Sequence, residues 1–471
     1  MAIRKTLTPT KPIPFTFTTN VDTQDLSKDH ELQTAPLITR EAYIAAGYKK
    51  HSTQYGVMGE TLSIQYDVSH SLYPRLYINT NAPFSAVVCG AQDSGKSHTV
   101  SVLLENMLLP KLQEIGSLEQ PLAGLVLHFG EGSRPSEAAW VGVPTGRGEG
   151  VRPPKVRVFV SKSSLNTMKA IYAPLGKEVE VTPLLFNEAG LDAQAFLSMI
   201  AIGSSDSVPL YIQIVLNILR ELGEMFSYGR FLTTFNPVQS AGLEQRLTLL
   251  NSFMESTPCH RFAAGQWTIV DLSDPFIDPA SVCGLFEIVT RLFVRAEVET
   301  GKVLVMKPTR GVSGLTKALL TLTREQRHLA ICVIISTQEP TVVPPVLLDL
   351  CTVAIMHRFS SPAWWDHLAR HITADVSADA AFDTVVKLQT GEAIVLAPPG
   401  LGVFPQNVES VGPRTTERDA MPALKLGRFG RRYVLMKTRA HVTKDGGASV
   451  LVIPAEESES EEEVSEPEES D

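Results

Sequence analysis

Short, almost wholly apolar runs alternate along the chain with longer stretches in which apolar residues recur at helical spacing. Phe84-Ser-Ala-Val-Val-Cys89, Leu122-Ala-Gly-Leu-Val-Leu-His-Phe129, Gln266-Trp-Thr-Ile-Val-Asp271, Gly301-Lys-Val-Leu-Val-Met306 and the run from Leu329 to Ser336 are the most continuous. Runs of this length without polar alternation predict strands buried on both faces. Val156–Val160, Glu178–Val181, Cys351–His357 and Gly391–Leu396 read as further strands. Thr61-Leu-Ser-Ile-Gln-Tyr alternates, and Arg75–Asn79 resembles it, which predicts a small β layer before residue 84. Helical spacing appears in Val100, Leu103, Leu104, Met107 and Leu108, and again over Pro279–Thr300 and Leu315–His328. Ser361-Pro362 supplies an N-cap and a first-turn proline for another helix. Strands alternating with helices predict an α/β fold with a mainly parallel sheet flanked by helices.

The pattern also divides the chain. Residues 1–40 are rich in Thr, Pro, Asp and Lys without steady periodicity, as expected of a poorly ordered arm. Residues 41–80 form a small β-containing segment that begins with a short helix near Glu41–Lys50, and 81–404 the main domain. Within that domain, 130–155 is Gly-, Pro- and Arg-rich and predicts a surface loop. Leu191–Ile202, Pro209–Phe226 and Ala241–Met254 make 190–256 a helical insertion. Residues 405–454 are a basic arm with strands, and 455–471 an acidic tail expected to be disordered.

Composition changes this picture in three places. The net charge of −9 is a property of the tail, because Glu456–Asp471 holds ten acidic residues and no basic one. Without it the remaining acids number one fewer than the 42 Lys and Arg, so no fold-wide field is expected. The five cysteines (Cys89, Cys259, Cys283, Cys332, Cys351) form no C-x-x-C pair and most lie in apolar runs, which suits a reducing compartment. No leader-like apolar core follows the N-terminus and no run approaches the roughly 18 apolar residues of a membrane span, so the expectation is an intracellular protein, cytoplasmic or nuclear.

The candidate chemistry sits where the first buried strand meets the first amphipathic helix. Gly90-Ala91-Gln92-Asp93-Ser94-Gly95-Lys96-Ser97 has the G-x-x-x-x-G-K-S spacing, followed by His98. Strand, Gly-rich loop and helix form the context in which this spacing cradles phosphate. Glycine lets consecutive backbone N–H groups converge on phosphate oxygens, and the helix N-terminus adds partial positive charge. Lys96 is expected to reach the β- and γ-phosphates and Ser97 to ligate Mg²⁺. The expected ligands are therefore ATP and Mg²⁺, with Gly90–His98 lining the site. Asp93 is an unfavourable residue beside phosphate unless its carboxylate points outward.

Several blocks then fall in one order: the Gly90–Ser97 loop, Trp267–Ser273, Arg324-Glu-Gln-Arg-His328, Ser336-Thr-Gln-Glu-Pro340 and Gly391-Glu-Ala-Ile-Val395. Over roughly residues 75–400 the chain resembles HerA/FtsK-type P-loop ATPases. The resemblance implies a RecA/FtsK-like P-loop NTPase sheet and a ring-forming motor acting on nucleic acid or protein. By similarity Gln338 matches the polar sensor of the γ-phosphate, and Arg324 or Arg327 an arginine completing a neighbouring subunit's site. The resemblance breaks at the strand before the Arg-Glu-x-Arg helix. There the family carries Asp-Glu, one residue for Mg²⁺ and one for the attacking water. Here Met306 is followed by Lys307-Pro308, and no Asp-Glu dipeptide occurs in the chain. The chain thus has a degenerate Walker B segment, or residues 307–312 reflect a splice or gene-model variant. Asp271, which ends an apolar strand, is the replacement candidate, and Glu131 a weaker one.

Two functions remain open on the residues alone. One is an ATP-hydrolysing, helicase- or translocase-like motor, with hydrolysis intact or impaired. The other is a non-hydrolysing nucleotide-binding scaffold, a pseudo-ATPase, whose basic arm and acidic tail hold partners. A GTPase or small-molecule kinase fits less well, because no Asn-Lys-x-Asp segment is present. The basic arm, with Lys425, Arg428, Arg431, Arg432, Lys437, Arg439 and Lys444 and the interleaved Phe429 and Tyr433, reads either as a nucleic-acid surface or as a charged edge strand. Ser458, Ser460 and Ser465 lie among glutamates in the tail, placed for phosphorylation. His367 and His371 stand at i, i+4, but without the glutamate of a zinc-protease helix.

Overall fold

The structure, a computed structural model, describes residues 26–46, 54–65, 74–130, 132–145, 151–200, 210–235, 241–255, 261–307, 313–371, 378–405 and 424–446. The first part of the N-terminal arm, Glu131, residues 308–312 and the acidic tail with its serines lie outside the described residues.

The strands are β1 (Leu37–Thr39), β2 (Tyr55–Ile64), β3 (Arg75–Asn79), β4 (Ser85–Cys89), β5 (Ala123–His128), β6 (Lys155–Val160), β7 (Val179–Pro183), β8 (Gln266–Asp271), β9 (Lys302–Met306), β10 (Ile331–Thr337), β11 (Val353–Met356), β12 (Glu392–Leu396), β13 (Leu401–Pro405), β14 (Leu424–Arg428) and β15 (Tyr433–Thr438). Among the described residues they form one 15-stranded sheet ordered β14-β13-β1-β3-β2-β15-β12-β11-β4-β10-β9-β5-β8-β6-β7. From β11 to β7 every pairing is parallel. From β11 towards β14 the pairings are antiparallel, except for a single parallel register between β1 and β13.

The continuous apolar runs are explained by burial on both faces. In β4, Val87 and Cys89 enter one core and Ala86 and Val88 the other. In β10, Ile331, Val333 and Ile335 face the first core, Cys332 and Ile334 the second. The helix Lys96–Leu108 packs Val100, Leu103, Leu104 and Met107 into the second core. Helices Ala193–Ile200, Leu210–Leu222, Tyr228–Thr234 and Ala241–Ser252, between β7 and β8, supply the first core with Phe196, Val215, Phe231 and Leu243. Helices Pro279–Arg295 and Ser313–Leu329 lie on that same side through Leu285, Ile288, Leu315 and Leu319. No helix among the described residues is long and apolar enough to cross a membrane.

Two expectations are altered. The strands of 41–80 do not form a layer of their own. They extend the main sheet, and β2 reaches it through β15, paired between β2 and β12. Parts of the basic arm are therefore structural. β15 is an interior strand, β14 is at the sheet's edge, and the Arg439 guanidinium bonds Glu105 Oε2 at 2.6 Å, Val57 O at 2.8 Å and Asn106 Oδ1 at 3.1 Å. Arg428 pairs with Glu31, and Arg432 lies 4.3 Å from the Phe404 ring centre. Lys425, Lys437 and Lys444 are exposed.

The second change concerns 130–155, which is more than surface loop. Its Glu137-Ala-Ala-Trp-Val-Gly142 run folds as a 3-10 turn with Ala139 and Val141 buried. An apolar run inside a Gly/Pro-rich stretch finds a core to enter, here the one that also holds the Lys96–Leu108 helix.

Candidate nucleotide site

The Gly90–Ser97 loop leaves the C-terminal end of β4, with β10 and β11 as its parallel neighbours. Ligands of open parallel sheets gather at this end of the strands. The loop is fixed by backbone contacts to both sides. Ala91 N–H donates to Arg358 O (2.9 Å), Gly391 N–H donates to Ser94 O (3.2 Å) and Thr390 Oγ1 donates to Asp93 O (3.2 Å). Ser94 Oγ closes the turn on Ala91 O at 2.7 Å. Gly95 has φ +98°, and a Cβ there would lie 2.7 Å from Gly391 N, so both dihedral and space demand glycine. Asp93 also adopts positive φ, at +59°, and its side chain is exposed. The helix that follows starts at Gly95 with no side-chain cap, so its first N–H groups are left for a ligand.

Lys96 is buried, and desolvation, then the nearby Lys307 cation, lowers its pKa. An anion in the loop would offset both effects and favour the charged ammonium. His357, beneath the loop, is held to about 4, chiefly by burial and also by the Lys96 charge, so it stays neutral.

The other side of the site is built from residues that motif reading does not pair. Ser97 Oγ donates to Glu137 Oε2 at 2.8 Å, and Lys307 Nζ donates to the same oxygen at 3.2 Å. Glu137 thus stands beside the hydroxyl expected to hold Mg²⁺, and Lys307 stands at the end of β9. Burial would raise the Glu137 pKa. The Lys307 cation, the Ser97 hydroxyl and Lys96 outweigh it and hold the carboxyl below its ordinary value. The cleft between them is lined by Ser97, His128, Ser136, Glu137, Lys307 and Ser336 among others.

The turn carrying Glu137 is itself held. Ser136 N–H donates to Tyr172 Oη (3.0 Å), and Tyr172 Oη–H donates to Asp271 Oδ2 (2.7 Å). Trp267 Nε1–H donates to Ala138 O (2.9 Å). Asp271 is buried at the end of β8, in register with His128 of β5, and also accepts Ser273 N–H. β5 separates it from β9, so it meets the site through Tyr172 and the turn and not directly.

Gln338 follows β10 directly and is exposed. Arg324 and Arg327 are exposed on the Ser313–Leu329 helix, with no ion pair among the described residues. Gly90, Ala91, Gln92, Asp93, Ser94, Gly95, Lys96 and Ser97 are brought together in one loop and first helical turn. His98 turns to the C-terminal segment, where Nε2 lies 2.6 Å from Arg439 O. His367 and His371 are engaged with Val343 O and Asp349 respectively.

Glycine-rich loop, parallel strands and interposed β10 together define a P-loop NTPase fold. No family model matches the chain, and no curated protein matches it. Solved structures do. VirB4 of Thermoanaerobacter pseudethanolicus aligns at 10% identity and TM-score 0.43, covering 82% of this chain and 96% of that one. B204, the DNA-packaging ATPase from Sulfolobus Turreted Icosahedral Virus, aligns at 11% identity and TM-score 0.31, covering 67% and 92%. The bacterial conjugative coupling protein TrwB aligns at 11% identity and TM-score 0.38, covering 66% and 81%. These neighbours are HerA/FtsK-type P-loop ATPases. The P-loop NTPase fold of this chain rests on its own loop and strands.

Proposed function

We propose that this chain is an ATP-binding P-loop protein of HerA/FtsK type, in which Glu137 takes over the metal-side carboxylate role that the end of β9 has lost. The observation that carries this is the 2.8 Å contact between Ser97 Oγ and Glu137 Oε2. The residues fit the ligands. Gly90 and Gly95 pack so closely on His357 and Gly391 that a Cβ at either would clash, which fixes the curl of the loop, and Lys96 and the helix N-terminus favour phosphate. A hydroxyl and a carboxylate are oxygen donors suited to Mg²⁺. Bound there, Mg²⁺ would neutralise charge on the phosphates.

Lys96 would hold the phosphates, Ser97 and Glu137 the metal, and Gln338 would serve as the polar group toward the terminal phosphate, while Asp271 positions the Glu137 turn through Tyr172. A single carboxylate serves where the family uses two, so hydrolysis is slow. Such a protein works inside the cell as an ATP-dependent scaffold. A motor reading, a ring moving along nucleic acid, is favoured by the exposed Arg324 and Arg327, free to complete a neighbour's site, and by the exposed lysines of the basic arm.

Titration with a fluorescent ATP analogue, with and without Mg²⁺, tests the site. Lys96→Ala should weaken binding about 10- to 100-fold, the loss of a charge-assisted contact worth roughly 1.5–3 kcal/mol. Glu137→Gln should spare metal-free binding and remove about tenfold of the Mg²⁺-dependent gain. That gain should persist in the parent protein at pH 5, since the depressed pKa keeps Glu137 ionised. Unchanged affinity in Lys96→Ala would dismiss the site. Phosphate release with and without DNA then separates the scaffold from the motor, since only the motor is stimulated.

A further inference from the structure

Directly behind the nucleotide loop, the first turn of the Lys96–Leu108 helix meets the segment that follows β15. His98, His441 and Asp445 converge there, each offering a ligand atom within 4.8 Å of the others. The two imidazole rings stand edge to face with centroids 3.8 Å apart. The His441 side chain is 7% exposed, and neither of its ring nitrogens has a hydrogen-bond partner among the described residues. The nearest carboxylate oxygen, Glu105 Oε1, lies 3.7 Å from Nδ1, beyond hydrogen-bond range. That oxygen already accepts from Val442 N, Thr443 N and Thr443 Oγ1. A buried imidazole with two unmet nitrogens is costly and calls for a missing partner.

His98 has the complementary arrangement. Its Nε2 lies 2.6 Å from the Arg439 carbonyl, and a carbonyl can only accept. Nε2 therefore carries the proton, and Nδ1 keeps its lone pair. Donation of one ring N–H to a backbone carbonyl is the usual support of a metal-bound histidine.

We propose that His98 Nδ1, one ring nitrogen of His441 and the Asp445 carboxylate form a transition-metal site, with Zn²⁺ the best-matched ion. Two imidazoles and a carboxylate favour zinc over Mg²⁺ or Ca²⁺, with water completing the tetrahedron. Zinc–nitrogen bonds of about 2.0–2.1 Å place neighbouring ligand atoms about 3.4 Å apart. The exposed Asp445 can supply the small closing movement. The ion would clasp residues 439–445 to the turn that carries Lys96 and Ser97, tying the C-terminal segment to the nucleotide loop. This proposal stands independently of ATP turnover.

The test uses the full chain, stripped with a chelator and titrated with Co²⁺ and then Zn²⁺. Tetrahedral Co²⁺ gives visible absorption that stoichiometric Zn²⁺ should abolish, at one ion per chain. His441→Ala should weaken binding by more than about 100-fold, beyond the 10- to 100-fold typical of supporting groups. Asp445→Asn, on an exposed side chain that does not hold the core, should weaken it about tenfold and keeps the test valid if His441→Ala fails to fold. The double variant His367→Ala/His371→Ala should bind as the parent does. The proposal is overturned if the parent shows no saturable Co²⁺ spectrum, if Asp445→Asn binds unchanged, or if the double variant alone loses the ion.

Discussion

The ends of β4 and β9 face the same cleft and are specified in different ways. At β4, every functional group lies within eight consecutive residues, and the geometry that serves them is local: a positive φ at Gly95, a turn closed by Ser94, a helix starting uncapped. At β9, the strand ends in Met306-Lys307, and the carboxylate comes from a turn 40 residues beyond Ser97 in sequence. That turn is secured by Tyr172, which ends the Leu165–Tyr172 helix, and by Trp267 and Asp271 of β8, two further parts of the chain. The phosphate side is a motif, whereas the metal side is an assembly. The metal side depends on distant residues for its groups themselves, the phosphate side only for bracing from Arg358, Thr390 and Gly391.

The largest effect should therefore come from beneath the Glu137 turn. Trp267 is fully buried, and its ring covers Gly124 so closely that a Cβ there would lie 1.9 Å from Cε3. Trp267→Ala should cost about 3–5 kcal/mol in denaturant unfolding. It should also reduce Mg²⁺-dependent nucleotide binding more than metal-free binding. Equal losses in both would mean that the turn does not set the metal side.

A slightly smaller effect belongs to the other face of the P-loop helix. Glu105 is fully buried and desolvation would raise its pKa, but the His441 ring 3.7 Å away, the Arg439 cation and Thr443 hold it down to about 2. Because the folded-state pKa is depressed, its contribution is complete above the ordinary value of 4.5 and is lost as pH falls from there towards 2. Stability should drop by on the order of 3 kcal/mol across that window. A flat profile in acid unfolding between pH 5 and 2.5 would show that residues 439–443 contribute nothing through this carboxylate.

The smallest effect sharpens the comparison most directly. Lys307 competes for Glu137 and repels Lys96. Lys307→Met should tighten Mg²⁺ binding in the nucleotide complex a few-fold, measured by Mg²⁺ titration at fixed nucleotide. A weakening would instead make Lys307 a phosphate ligand.

The sheet was largely legible in the sequence, because burial on both faces writes itself as unbroken apolar runs such as Ile331–Thr337 and Ser85–Cys89. The helices of 193–252 were legible from their apolar spacing, apart from Tyr228–Thr234. The Leu165–Tyr172 helix escaped for want of length. Glu137 escaped because the Gly/Pro content around it outweighed the short apolar run Ala138–Val141, the one signal that marked a packed turn. β15 escaped as an interior strand because Lys437 and the flanking Arg431, Arg432 and Arg439 read as edge protection, whereas Val434 and Met436 are buried and Arg439 is consumed by Glu105.

By itself the sequence determined the mainly parallel α/β sheet, the phosphate loop and the absence of an acidic pair after Met306. Those depend on spacing between near neighbours, which a strand's period of two and a helix's of 3.6 record locally. Only the tertiary structure decided which distant residues meet: Ser97 with Glu137, Tyr172 with Asp271, and His98 with His441 across 343 positions. Such meetings follow from the strand order, which no local period encodes. They hold because the surrounding packing, not the residues themselves, meets the entropic cost of bringing the segments together.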